Sequence, residues 1–329
     1  SRRFAAMMAR QPVSAPTAIP ARHHLGPAIW WGGSACVLLA LMTPVPWPFD
    51  GRLFQAVESA AHLPLFFWVG MTLRAGVLPR LRMPHHLPLR MLAVLLAAGA
   101  VELLQRYTGR DPDVRDFIVS TAGGCAGVWA AEALYSASRW KPYAAMGSVV
   151  LVGLLAVWPV FWVLADRLQA TARFPELASF ETRSELGRWW FQGVRISRVT
   201  QQATEGRHAL RVAVRSKRAV YPGLFMTDGR RDWSDCRRLC LDIYLAGARE
   251  RDLWVRVDDQ RDNPPYTDRA QQQIRLSPGL NRICLDLDRL LVTPSGRPLD
   301  ASTIWRWGLF LDQVHGDEIF FLDNVRLVR

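Results

Sequence analysis

The chain of 329 residues is poor in cysteine, with only five, and they are scattered. Such a set builds no disulfide framework, and no pair of them has the spacing of a zinc site. The sequence also lacks G-x-S-x-G, H-E-x-x-H and G-x-x-x-x-G-K-[ST]. No nucleophile elbow, zinc-protease helix or phosphate-cradling loop therefore announces an enzyme, and no motif asks for a cofactor or a bound metal. Charge is scarce before about Asp166 and dense after it, so one average composition describes neither half. The net charge is +12, but the arginines lie in loops between apolar runs and, beside aspartates, along alternating segments. That distribution argues for membrane topology and against a nucleic-acid partner.

Long apolar runs dominate the first half. Residues 1–27 carry Arg2, Arg3, Arg10 and Arg22 among Ala, Pro and Ser without a period, and read as a flexible cytoplasmic tail. Five spans are expected at about 28–45, 60–78, 87–104, 117–135 and 144–164. The first is not read as a cleaved signal, because its exit, Pro44-Val45-Pro46-Trp47-Pro48, lacks a small-x-small site. Trp30, Trp31 and Trp47 suit an interfacial belt at its ends. The tail, the loop bearing Arg80, Arg82 and Arg90, and the loop 139–141 are basic and acid-free, whereas 46–59 sets Arg52 beside Asp50 and Glu58. The positive-inside rule then puts the N-terminus in the cytoplasm. Five spans place the C-terminal half outside, in the periplasm of a bacterial inner membrane.

The stretch 99–127 breaks the apolar pattern. Glu102 and Gln105 are three apart and share a helix face near the membrane boundary. A polar turn then presents Arg110, and Asp116 opens the next apolar segment, where a carboxylate meets the positive end of a helix dipole. With His62 these residues form a candidate site at the outer rim: a His beside carboxylates moves protons, and Arg110 holds a phosphate or carboxylate headgroup. The bland alternative is a structural clasp that caps and joins helices. Gly123, Gly124 and Gly127 read as a close-packing helix face.

The pattern E-x-x-Q, G-R, D, G-x-x-x-G on Glu102, Gln105, Arg110, Asp116, Gly123 and Gly127 resembles the VanZ-like family over roughly residues 30–135. The resemblance implies a small bundle of membrane helices, with a link to glycopeptide resistance and no agreed reaction. His62 matches an upstream histidine of that pattern. Two positions depart from it: Glu58-Ser59 stands where Asp-Lys is usual, and Ser120 where Asn is usual.

After a short linker at 167–173 the hydrophobic period changes to two. Leu210-Val212-Val214, Leu239-Leu241-Ile243-Leu245, Leu253-Val255-Val257 and Ile283-Leu285-Leu287 alternate with polar residues, as half-buried strands do. Turn signals at Asp228-Gly229, Ala246-Gly247, Asn263-Pro264 and Ser295-Gly296 separate them at spacings suited to an all-β sandwich over 174–329. The phrases PELASFE, TEGRHALRV and FFLDNVRLV resemble jelly-roll domains of the galactose-binding and carbohydrate-binding-module type.

Opposite the apolar sets lie Asp242 and Tyr244, then Trp254, Arg256 and Asp258, then Arg306, Phe310 and Asp312. If their strands share one sheet, its outer face sets aromatics beside planar hydrogen-bonding groups, which suits sugar rings; the alternative is a solvated face of ordinary Arg–Asp pairs. Trp189, Trp190, Trp305 and Trp307 read as core or rim. Cys240 and Cys284 share a non-core parity, which leaves a disulfide open. The fold class expected is a five-span α-helical membrane bundle plus a β jelly-roll sandwich. Its partners are membrane lipids, a polysaccharide or peptidoglycan-related glycan, and other envelope proteins. A membrane-embedded enzyme acting on a lipid-linked substrate is the alternative.

Overall fold

The computed structural model describes residues 32, 33, 36, 51–75, 87–108, 113–134, 140–215, 219–260, 264–312, 316 and 318–329. Among them, four helices are long and apolar enough to cross a membrane: α1 (Arg52–Ala75), α2 (Leu87–Gln105), α3 (Val114–Leu134) and α4 (Lys141–Arg173). The span expected at 28–45 lies outside the described residues apart from Gly32, Gly33 and Cys36, which are helical. α2 and α3 match their expected spans closely. α1 starts earlier than expected, so residues 52–59 are helix and not loop; Arg52 at its first turn is held by an ion pair to Asp166. α4 runs on through the expected linker 167–173, where Leu, Gln, Ala and Arg sustain a helix and the first proline comes only at Pro175.

The helices pack through small residues. A Cβ on Gly70 would fall 2.0 Å from the Gly124 carbonyl oxygen, and one on Gly127 would fall 2.1 Å from that of Phe67. Only glycine lets the α1 and α3 backbones come so near, which is the packing expected of that glycine face. Phe66, Ala98 and Val101 form the small apolar core between α1 and α2. Outward, α4 exposes Val150, Leu151, Leu154, Leu155, Trp158 and Phe161, a surface that lipid chains would cover.

The second half is a two-sheet sandwich. Its strands are β1 (Glu176–Ala178), β2 (Trp189–Gln192), β3 (Val194–Val199), β4 (Ala209–Val214), β5 (Gly223–Met226) and β6 (Arg238–Leu245). They continue with β7 (Arg251–Asp258), β8 (Ala270–Leu276), β9 (Gly279–Asp286), β10 (Arg306–Phe310) and β11 (Glu318–Val328). One sheet has the order β3-β4-β11-β6-β9, with β1 also on β11, and the other the order β2-β5-β10-β7-β8. The four alternating segments of the sequence fall in β4, β6, β7 and β9, except that Leu287 starts a short helix, α5 (Leu287–Leu290). Leu210, Leu241 and Ile243 from one sheet meet Leu253, Val255 and Leu309 from the other in the core. Trp189 and Trp307 join them, edge to face at 5.3 Å. Cys240 and Cys284 stand opposite each other on β6 and β9 and are bonded.

The three phrases that carried the jelly-roll resemblance meet in space. Glu181 accepts the backbone N–H groups of Arg207 and His208, and Asp323 accepts those of Thr204 and Glu205. Burial works against the charge on Glu181, but those N–H groups and the His208 ring outweigh it and hold the carboxyl below its ordinary range.

An ion-pair cluster joins the two halves. Asp166 on α4 receives Arg188 from the sandwich through both carboxylate oxygens, at 2.9 and 2.8 Å, and Arg52 from α1 at 2.8 Å. Arg167, the next residue on α4, donates to Asp228 at 2.9 Å. The Asp166 side chain is 1% exposed and that of Arg188 6%, so this pair is a buried one.

Candidate functional site

Strand order explains how a groove arises on the sandwich. The residues that alternate outward on the five-stranded sheet are Trp190 on β2, Phe225 on β5, Phe310 on β10 and Trp254 on β7. The register pairs Trp190 directly with Phe225 and Phe310 directly with Trp254, and sets Phe225 diagonal to Phe310, since Phe225 faces Gly308 and Phe310 faces Gly223. Ring centroids step 5.9 Å from Trp190 to Phe225, 6.5 Å from Phe225 to Phe310 and 6.1 Å from Phe310 to Trp254. The last two pairs lie within 19° and 12° of parallel and Trp190 is tilted 42° to Phe225, so the rings form a continuous apolar strip. Crossing three interstrand gaps, it is roughly 14 Å long. Gly308 leaves room for it, since a Cβ there would sit 2.4 Å from the Phe225 ring.

The strip floors a groove of about 610 Å³, walled by Gln192, Tyr221, Tyr266, Arg269, Gln271 and Asp312 besides Arg256 and Arg306. At one end Asp258, 1% exposed, is shared by two arginines. It takes Nε of Arg256 at 3.0 Å and Nε of Arg306 at 2.6 Å. Arg306 also lies 5.7 Å from the Phe225 ring centroid. Burial lowers the pKa of the Arg256 guanidinium, Asp258 works against that, and the like charges of Arg306 and Arg269 add to the lowering.

Of the residues expected on a sugar face, Trp254, Arg256, Arg306 and Asp312 line this groove, and Asp258 anchors its arginines. Asp242 and Tyr244 do not belong to it. They lie on β6 in the other sheet, where Asp242 accepts from Asn324 and Tyr244 packs on Phe321. Alternation tells core from exterior but not which of two exteriors a strand faces. Trp190 was expected in core or rim, yet it is half exposed and ends the strip. The pair Trp189-Trp190 carried that signal: neighbours on a strand point opposite ways, so if Trp189 fills the core Trp190 must leave it. Tyr221, Tyr266 and Arg269 come from loops and turns with no periodic signal.

The rim residues also meet, from three helices. His62 of α1, Glu102 of α2 and Asp116 of α3 each bring a ligand atom within 4.8 Å of the others. His62 Nδ1 lies 3.0 Å from Ser120 Oγ and its Nε2 lies 3.8 Å from Asp116. Ser120 thus orients the ring. Glu102 accepts the backbone N–H of Asp113 at 3.0 Å. His62, Glu102 and Gln105 are buried, and Arg110 lies outside the described residues. One imidazole and two carboxylates are a donor set fit to share a proton or to hold a divalent cation.

No protein-family model matches the chain, and no curated protein matches it. Solved structures do. An exo-beta-agarase is 20% identical over 46% of this chain and 24% of its own, with a TM-score of 0.38. A family 11 carbohydrate-binding module from Clostridium thermocellum, in complex with a beta-1,3-1,4-mixed-linked tetrasaccharide, is 16% identical over 46% of this chain and 94% of its own, at 0.36. A CBM22 xylan-binding domain from Paenibacillus barcinonensis is 18% identical over 47% and 94%, at 0.32. The chain spans about a quarter of the agarase's length. What the β domain binds has to be argued from its own groove.

Proposed function

We propose that the chain is a membrane-anchored glycan-binding protein of the cell envelope, whose sandwich holds a polysaccharide strand along the groove of the five-stranded sheet. The observation that carries this reading is the strip Trp190–Phe225–Phe310–Trp254, with guanidiniums and amides beside it. Sugar rings have apolar C–H faces that stack on aromatic planes and equatorial hydroxyls that bond to planar donors at the edges. A strip crossing four strands offers room for consecutive sugars of a chain. The helical half, with its resemblance to the VanZ-like family, anchors the domain in an inner membrane. The loop-charge asymmetry supports a cytoplasmic N-terminus and a periplasmic sandwich, and the Cys240–Cys284 bond suits that oxidising side.

The test is binding of the detergent-solubilised chain to a polysaccharide panel, with Trp254→Ala and Phe310→Ala as variants. Each ring lies partly exposed on the outer face, so removing it should weaken binding about tenfold or more while the melting temperature moves little. Undiminished binding in both variants would refute the groove.

A second reading is supported by the convergence of His62, Glu102 and Asp116. In it the rim handles a proton or a cation for a lipid-linked envelope substrate that the sandwich helps to capture. Within the described residues the cluster lies toward the end of the bundle from which the sandwich continues, since α2 ends and α3 begins there.

A further inference from the structure

Three helices bring one imidazole and two carboxylates to a single point, and the geometry there is that of a metal-ligand set. His62 of α1, Glu102 of α2 and Asp116 of α3 each offer an atom within 4.8 Å of the other two. His62 Nε2 stands 3.8 Å from Asp116 Oδ2. Two ligands of a tetrahedral zinc, with bonds of about 2.1 Å, are about 3.4 Å apart, so a small inward shift closes the gap. Groups behind two of the ligands hold them in place. His62 Nδ1 and Ser120 Oγ are 3.0 Å apart, and with the ring N–H donated there, Nε2 turns a lone pair toward Asp116. Glu102 Oε2 accepts the Asp113 N–H at 3.0 Å. On Asp116, Oδ1 is buried and takes no hydrogen bond among the described residues, a cost that a cation would remove. Each metal–ligand bond uses one lone pair, and a carboxylate has about four, so the set can bind an ion while keeping its other contacts.

Resting on the second reading above and deepening it, we infer that His62, Glu102 and Asp116 bind one divalent ion of the zinc or manganese class. The donor types choose that class. Calcium takes roughly six to eight oxygens and magnesium an octahedron of them, whereas an imidazole with two carboxylates suits first-row transition ions. Three protein ligands leave a coordination position for water or a substrate oxygen, as catalytic metal sites do and closed structural sites do not. Asp116 marks the way in, since its side chain is 15% exposed and that of His62 only 2%.

The experiment uses the full chain in micelles, without a histidine tag, stripped by a chelator and dialysed against Zn2+, Mn2+, Mg2+ or Ca2+. Bound metal is counted by elemental analysis and melting is followed alongside. The chain should take up zinc or manganese at the rim, with a higher melting temperature, and should hold magnesium and calcium far more weakly. Ser120→Ala should weaken that binding roughly ten- to a hundredfold, the usual result of removing the group behind a ligand. Asp116→Asn and Glu102→Gln, which take away ligands themselves, should weaken it further and lose one ion per chain relative to the unsubstituted protein. Equal zinc and manganese uptake in the unsubstituted protein and both ligand variants places the ion elsewhere and overturns the inference. Equal affinity for magnesium or calcium overturns it too. Should the ligand variants unfold, Ser120→Ala decides, and an unchanged zinc affinity in it overturns the inference. No metal uptake, with a proton uptake that Asp116→Asn abolishes, overturns the inference and leaves the proton form of that reading standing. Neither uptake overturns both.

Discussion

In the helical half, His62, Gln105 and Ser120 are buried while Leu96, Leu103, Leu155 and Phe161 face outward; in the sandwich, Leu210, Leu241 and Leu253 fill the interior and arginines and aspartates occupy the outer faces. The same chain thus applies burial in opposite senses. The helical pattern is the one lipid surroundings would favour, because lipid rejects polar groups, and the sandwich pattern is the one water favours. Against that background the exceptions stand out. The sandwich exposes an aromatic strip, and the bundle sets a buried carboxylate, Glu102, and a partly buried one, Asp116, beside an imidazole.

The largest expected effect falls where the two regimes join. Asp166→Ala removes the carboxylate that holds Arg188 and Arg52 and strands a buried guanidinium. Loss of one partner of such a pair costs about 3–5 kcal/mol. The check is thermal unfolding together with limited proteolysis between helices and sandwich. Unchanged melting would mean that the halves are independent modules. Next comes Gly127→Ala in α3, where the added methyl meets the Phe67 carbonyl oxygen of α1. Overpacking of this kind costs about 1–3 kcal/mol, read as a lower melting temperature in detergent with glycan binding intact. A loss of binding instead would tie the groove to bundle packing.

How much of this was legible in the sequence differs between the halves. Helices α2 and α3 could be read because long, uninterrupted apolarity stands out in the sequence. The extra turns of α1 and α4 could not, since their polar residues are stabilised by partners far away in the chain, Arg52 by Asp166 and Asp166 by Arg188. His62, Glu102, Gln105, Arg110 and Asp116 were grouped from spacing together with the family resemblance, and the described helices bring His62, Glu102 and Asp116 together. In the sandwich, alternation fixed which way Trp254, Arg256 and Arg306 point, but strand order decided that Asp242 and Tyr244 face another surface. Strand order is a long-range outcome that no local period encodes.

The smallest expected effect is at the rim. Glu102→Gln keeps an oxygen that accepts the Asp113 N–H and removes one charge from beside Asp116. Stability should fall by no more than about 1 kcal/mol, while any proton or cation uptake by purified protein should fall. A large drop in melting temperature, partly restored by adding Asp116→Asn, would show a structural clasp.

The helix α4 has a mechanical meaning. Its 33 residues measure about 50 Å at 1.5 Å each. A hydrocarbon layer takes roughly 30 Å of that. The rest projects toward the sandwich, and Asp166 and Arg167 bolt it there to Arg188 and Asp228. A flexible leash would let the groove turn freely and absorb tension as slack. This connection behaves as a strut, so a ligand of the groove would be held at a set height and heading relative to the helices, and a pull on it would become torque on the bundle.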